Sequence, residues 1–440
     1  MPHEPRIEIP FTSHTLDNGL VVLVHEDHRC PIVAVNIWYH VGSKDEAPGR
    51  TGFAHLFEHL MFEGSEHHDS GYFQPLQQAG AAVNGSTNTD RTNYWEVVPT
   101  SALDLALWLE SDRMGHLLPA LTEARFATQR EVVLNERRQN YENRPYGLAI
   151  QVLVEALYPP AHPYHWLTIG YPGDLRAAGI DDVRAFFMRH YHPGNASLAL
   201  AGDIDTAEAI RRAEAYFGVI PPGPAAAAVA PPVPAVGDVR LAFEDRVELP
   251  RLYLGWHAPP IFAAGDAELD LLADLLAGGK SARLYRALVY ERRIATEVAA
   301  AQNSRQLGSF FSVVATAAPG HDLGELDRAL TDEIDRLASD GPEAGELERS
   351  MAQAEAHFIY RLQSVGGFGG KADQLNSYLM YVGDPGYLDR DWRRYEQATL
   401  STIRDIGAPL LDPRARVAVS VVPRGRHDLA VAGSARVRPS

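Results

Sequence analysis

The 440-residue chain has one cysteine, Cys30, which excludes an intrachain disulfide and any cysteine-based metal cluster. It also lacks any run near the roughly 20 apolar residues that a membrane-spanning helix needs, so no membrane span is expected. The opening residues, MPHEPRIEIPF, lack the charged-then-apolar pattern of a secretory signal, and a cytoplasmic or periplasmic setting is expected. Basic residues are in deficit: Lys plus Arg number 40 against 57 Asp plus Glu, a formal net charge of −17. That balance argues against nucleic acid as a partner and suits a soluble protein that attracts basic peptides. What is present, 45% hydrophobic and 22% charged residues, is ordinary globular composition at a length expected to form two to four domains.

Residues 221–236, PPGPAAAAVAPPVPAV, carry no polar or apolar periodicity and read as a semi-rigid Pro/Ala-rich linker. The stretch predicts an N-terminal domain over 1–220 and a C-terminal domain over 237–440. In the first half, LVVLVHE (20–26) and PIVAVNIWYHV (31–41) are strand-like in their β-branched and aromatic content. A helix starting near Thr51 carries FAHLFEHLMF, and AAVNGSTNTDRTNYWEVVP (81–99) reads as two strands around a polar turn. Residues 101–118 and 122–143 read as helices, the second with Thr122 as N-cap, and ASLALAGDI (196–204) as a closing strand before another helix. The second half repeats this order: PRLYLGWHAPP (250–260) stands for PIVAVNIWYHV and ELDLLADLLAGGKS (268–281) for HLFEHLMFEGS. The expected fold class is α+β, two similar domains, each a mostly antiparallel sheet flanked by helices.

His55, Glu58 and His59 stand at i, i+3 and i+4, one face of a helix at about 100° per residue. Two imidazoles one turn apart can reach one zinc ion, and a carboxylate beside them can take a proton from its water. The surrounding residues (Phe53, Leu56, Phe57, Leu60, Met61, Phe62) are apolar, so this helix is expected to be buried. Burying two imidazoles and a carboxylate without partners is costly, and a metal satisfies all three. A catalytic zinc takes a third protein ligand, for which Glu131 and Glu136 in the second long helix, or His67 and His68 in a polar loop, are available. Aligning Gly64 with Gly279 sets Asp270, Ala273 and Asp274 opposite His55, Glu58 and His59. The second copy therefore keeps the helix and lacks the metal chemistry.

HLFEHLMFEGS followed by REVVLNERRQ resembles the pitrilysin, or insulinase, family of zinc metallopeptidases, whose H-x-x-E-H motif is the inverzincin signature. The closest likeness is to its short two-domain branch, which includes the mitochondrial processing peptidases and bacterial peptidases. LDNGLVV (16–22), VNGSTNTDRTNYWEVVP (83–99), HPYHWLTIGYP (162–172), YHPGNASLALAGDI (191–204) and LLAGGKSARLYRAL (275–288) extend the likeness over nearly the whole chain. The resemblance implies one zinc per chain, held by His55, His59 and a later helical Glu. Glu136 takes that place, with 76 residues between it and His59. It further implies Glu58 as general base in peptide hydrolysis. One departure stands out: seven residues before Glu136, where relatives commonly carry another Glu, this chain has Gln129.

The resemblance also implies that a peptide substrate adds as a strand along residues 82–88, with Asn84 and Gly85 at the position that meets it near the metal. By itself, Asn84-Gly85 is also a turn signal. Relatives enclose substrates in a chamber between two such two-domain units, and their C-terminal half presents an Arg and a Tyr that grip the peptide. Here the corresponding positions, in LVYERRIATEV (288–298), hold Val289 and Thr296. A heterodimer is expected, with a homologous subunit supplying the Arg/Tyr pair; a homodimer working without the pair is the alternative. A non-catalytic core subunit of the same fold is the rival reading, against which all four residues His55, Glu58, His59 and Glu136 stand in place.

Overall fold

The computed structural model describes residues 7–225, 231–233 and 235–439; positions 226–230 and 234 of the expected linker lie outside the described residues. Two six-stranded sheets dominate. The first contains β1 (Thr12–Thr15), β2 (Val21–Glu26), β3 (Ile32–Tyr39), β4 (Ala82–Thr87), β5 (Thr92–Pro99) and β6 (Ala196–Gly202). The second contains β7 (Val239–Asp245), β8 (Arg251–Ala258), β9 (Ala295–Asn303), β10 (Ser309–Ala317), β11 (Val417–Pro423) and β12 (Ala435–Arg436). Their orders are β1-β2-β6-β3-β5-β4 and β12-β7-β11-β8-β10-β9: five strands repeat one pattern (β2-β6-β3-β5-β4 and β7-β11-β8-β10-β9), and the sixth, edge strand is the first in the chain in one sheet and the last in the other. The pairs β2/β6, β7/β11 and β7/β12 are parallel and the rest antiparallel, so the expected α+β class with two similar, mostly antiparallel sheets is what forms.

The helices in chain order are α1 (Phe53–Leu60), α2 (Phe73–Gln78), α3 (Leu103–Ala120), α4 (Glu123–Arg137), α5 (Ala149–Leu157), α6 (Pro172–Ala177), α7 (Ile180–His190) and α8 (Thr206–Phe217). They continue as α9 (Asp266–Ala277), α10 (Leu323–Asp340), α11 (Ala344–Arg361), α12 (Lys371–Val382), α13 (Leu388–Glu396) and α14 (Leu400–Leu410). The helix expected over 122–143 is α-helical only to Arg137 and continues as a π turn, Arg138–Glu142. No described helix is long and apolar enough to cross a membrane.

The described chain divides into two compact units that interleave along the sequence. One runs to Asn135, resumes from Leu167 to the linker, and takes in Phe358–Arg390; the other holds Glu136–Trp166, the stretch from the linker to His357, and everything from Asp391 on. In the first, α12 packs on β2, β3 and β6. Its Asp373 accepts hydrogen bonds from the Trp38 indole (2.8 Å) and from the Asn93 (3.1 Å) and Asn36 (3.3 Å) side chains. Asn36 and Asn93 are wholly buried, so those bonds offset a desolvation that would otherwise cost on the order of 1–3 kcal/mol per group. In the second unit, α5 packs on β8 and β11. Leu252, Leu254 and Trp256 of β8, Leu269, Leu272 and Leu276 of α9, and Leu326 and Leu330 of α10 form its core. β6, ASLALAG, is buried along its whole length; small apolar residues suit a central strand covered on both faces.

Candidate active site

The chain enters α1 through Gly52 at φ 90°. A Cβ there would lie 2.9 Å from the Ile169 carbonyl oxygen, so the entry requires glycine. The buried Glu46 carboxylate accepts the Gly52 and Ala54 backbone N–H groups at 2.9 Å each. It satisfies donors that a helix start leaves open and sets negative charge at the positive end of the dipole. Phe53, Ala54, Leu56, Phe57 and Leu60 are buried, and Phe57 packs against Phe186, Phe187 and Tyr191. His55, Glu58 and His59 fall on the opposite, half-buried face.

The His55 and His59 rings meet edge to face, 4.8 Å between centroids. Glu136 is the penultimate residue of the unbroken helix α4, nearly all of which belongs to the first unit. One ligand atom from each of His55, His59 and Glu136 lies within 4.8 Å of the other two. Two imidazoles and a carboxylate this close can converge on one ion at the roughly 2.0–2.2 Å bonds of zinc and leave a position open. Glu131, the other acid considered on α4, is exposed and outside this group. Gln129 is buried and donates its amide to Glu63, just past α1, at 2.7 Å. The glutamine thus braces the end of α1 against α4 without adding charge.

Among the described residues β4 is an edge strand, hydrogen-bonded within its sheet only to β5 and packed beside α1. Asn84 and Gly85 lie inside this strand, opposite Trp95 and Tyr94. The turn comes later, where the Asn88 side chain accepts the backbone N–H groups of Asp90 (2.7 Å) and Arg91 (2.8 Å). Asn84 is exposed; Gly85 is buried, and a Cβ on it would come within 3.0 Å of the Phe62 and Tyr94 rings. The outer edge of such a strand is a template for strand addition, and at Gly85 its backbone N–H is taken by the Asn84 side-chain oxygen at 2.8 Å.

Beneath Phe62 and Tyr94 lies a buried network that sequence reasoning missed. Arg113 donates through Nε to Glu110 at 2.9 Å, and its guanidinium sits 4.0 Å over the Tyr72 ring and 4.1 Å over Tyr94. The Tyr72 hydroxyl lies within hydrogen-bonding distance of Glu96 (2.8 Å) and Glu110 (2.9 Å). Burial, then the neighbouring Glu110 charge, holds the Glu96 carboxyl well above the usual carboxylate range. The signal in LESDRM (109–114) is a Glu and an Arg three apart, which reads equally well as a surface ion pair.

With this geometry in place, likeness to known proteins is decisive for the family. Residues 21–162 match the insulinase (peptidase family M16) profile, and residues 178–354 match the peptidase M16 inactive domain. The zinc protease PqqE of Helicobacter pylori is 30% identical over 358 residues, spanning 80% of each chain. The chain belongs to the insulinase (peptidase M16) family. An uncharacterized zinc protease of Streptomyces coelicolor, SCO5738, is 25% identical over 92% of this chain and 88% of its own. The crystal structure of a protease from Helicobacter pylori superposes with a TM-score of 0.88 at 26% identity, covering 95% of this chain and all of that one.

The inactive-domain match includes α9, where carboxylates replace the imidazoles of α1. Asp270 accepts the Tyr395 hydroxyl at 2.6 Å, and burial pushes its pKa up to about 6. Downstream, Val289 packs against the core of the second unit, and Thr296 is the second residue of β9, its hydroxyl 3.4 Å from the Thr316 carbonyl. Arg292 is engaged by Glu333 at 3.2 Å. That guanidinium is therefore committed to its own unit.

Proposed function

We propose that this M16 protein is the catalytic-type subunit of a zinc-dependent endopeptidase, with His55, His59 and Glu136 as ligands and Glu58 as general base. The convergence of those three donor groups within 4.8 Å, with Glu58 next to His59 on α1, carries the reading. Zinc, when bound, supplies a Lewis acid that polarises the scissile carbonyl and lowers the pKa of water. The Glu58 carboxylate accepts the water's proton and returns it to the leaving amine. The peptide backbone pairs with β4, where Asn84 points outward beside the bond to be cut, and Gly85 keeps the strand close to Phe62. This mode reads backbone more than side chains, which suits a peptidase acting on varied or unfolded segments.

Neither Val289 nor Thr296 can supply the charge-assisted bonds of a guanidinium. The working enzyme is therefore a heterodimer whose second, homologous subunit presents the Arg/Tyr pair. Glu58→Gln should keep zinc and lose on the order of 10²–10⁴-fold in turnover. Near wild-type turnover by that variant would refute the mechanism, and zinc-free wild-type protein would favour the non-catalytic core subunit. Weak cleavage by the isolated chain, rescued by a co-expressed homologue and lost again when that homologue's Arg is replaced, is the expected result for the split site. Strong cleavage by this chain alone would reject it.

A further inference from the structure

A second cluster of metal-ligating side chains shares no residue with the α1–α4 group. The loop over residues 64–71 leaves the end of α1 and runs beside α3. One ligand atom each from Glu66 and His67 on this loop and His116 on α3 lies within 4.8 Å of the other two. The two imidazoles stand edge to face, 4.7 Å between centroids, and Glu66 Oε2 is 3.2 Å from His116 Nδ1.

Two observations separate this cluster from ordinary solvated charges. His67 Nδ1 lies 2.6 Å from Asp112, whose side chain is only 4% exposed, and Asp112 also accepts the Ser65 hydroxyl and the His67 backbone N–H. A buried carboxylate on one ring nitrogen fixes the tautomer and the ring plane and leaves Nε2 to a metal, the arrangement that stands behind metal-bound histidines. On α3, His116 alone departs from helical backbone angles (φ −132°, ψ 23°), and its carbonyl accepts the Glu66 backbone N–H at 3.0 Å. The break in the helix thus ties His116 to the loop that carries its two partners.

We propose that Glu66, His67 and His116 form a second binding site for a divalent transition-metal ion such as zinc, independent of the α1–α4 site. Two imidazoles and a carboxylate favour zinc, nickel or copper over magnesium or calcium. The three side chains are about half-exposed, so the ion exchanges with solvent, and when bound it fastens the loop after α1 to α3.

Metal-stripped, untagged full chain is dialysed against zinc and its bound metal is measured. Two zinc ions per chain are expected for the wild type and one for His67→Gln/His116→Gln. His55→Gln/His59→Gln should retain the ion at the second cluster even if the proposed catalytic site is wrong. Asp112→Asn should weaken the second site by roughly 10–100-fold, as loss of an orienting carboxylate does. Zinc content in His67→Gln/His116→Gln equal to wild type overturns the proposal. Should that double variant melt early in zinc-free buffer, Glu66→Gln, which leaves both rings in place, decides: undiminished zinc affinity overturns the site and weakened affinity supports it.

Discussion

Helices α1 and α9 follow equivalent strands of two equivalent sheets, and they differ where chemistry is concerned. Gly52 and Gly265, at φ 90° and 94°, start them, and Gly64 and Gly279, at φ 116° and 107°, follow them. The span between glycines is two residues longer in the second copy, and α9 has 12 residues to the 8 of α1. On α1 the polar face gathers His55, Glu58 and His59 near Glu136. On α9 the polar residues are met by local partners instead: Asp266 by Ser304 (2.6 Å) and Arg394 (3.0 Å), Asp270 by Tyr395 (2.6 Å). Both helices must satisfy polar groups held partly out of water. One does so with a donor set fit for a metal and the other with hydroxyls and a guanidinium, so the shared topology does not by itself say which half carries the chemistry.

The largest expected effect breaks or keeps that contrast outright. His59→Ala should remove zinc from the α1 site and lower kcat/KM by on the order of 10²-fold or more, whereas Asp274→Ala, its counterpart on α9, should leave both unchanged. Metal content and peptide cleavage measured side by side check this. Equal losses in the two variants would mean that the chemistry is not confined to the first copy.

The repeat, the sheets and the helix bearing the metal candidates were legible in the residues because their periodicities are local. Val33, Val35 and Ile37 mark β3 as surely as His55, Glu58 and His59 mark one face of α1. The place of Glu136 depended on resemblance, since nothing in QREVVLNERRQ distinguishes it from Glu131 until α4 is built beside α1. Asn84-Gly85 carries a turn signal of its own, yet pairing with Trp95 and Tyr94 keeps it in a strand. What could not be read are contacts between segments far apart in the chain: Asp373 beneath Asn36 and Asn93, or Tyr395 on Asp270. Such polar residues look like surface until the partner is known.

Stability should separate the units next. Removing the Arg113 side chain with Arg113→Leu leaves Glu110 buried without its cation and should cost about 3–5 kcal/mol in urea unfolding. Asp270→Asn in the second unit is expected to cost little at neutral pH and to act through pH instead. The Asp270 pKa is raised to about 6 from 3.8, so its contribution is full below pH 3.8 and is lost as pH rises through 6. Burial lowers His40, His162 and His190 to about 4 from 6.5, so theirs is full above pH 6.5 and is lost as pH falls through 4. Asp270 opposes the histidines in that window. Removing it should steepen the loss of stability between pH 6.5 and 4, by on the order of 2–3 kcal/mol for a shift of this size. Identical pH profiles for variant and wild type would show that Asp270 titrates normally.

The smallest effect concerns the brace between α1 and α4. The buried Gln129 amide donates to Glu63 at 2.7 Å, a bond from a neutral donor to an acid. Gln129→Glu would set two carboxylates at that distance, where they can coexist only by sharing a proton or moving apart. Above neutrality the pair repels, α4 loses its tie to the end of α1, and Glu136 is held less firmly beside His55 and His59. Zinc affinity should then fall by about two- to tenfold, the net contribution of one hydrogen bond. At mildly acid pH a shared proton restores the bond, so the ratio of variant to wild-type affinity at the same pH should return towards one. Taking that ratio removes the proton competition at the histidines that both proteins share. A ratio that stays constant with pH would show that the brace does not position Glu136. A variant that binds zinc more tightly than wild type would show instead that charge at position 129 matters more than the bond it replaces.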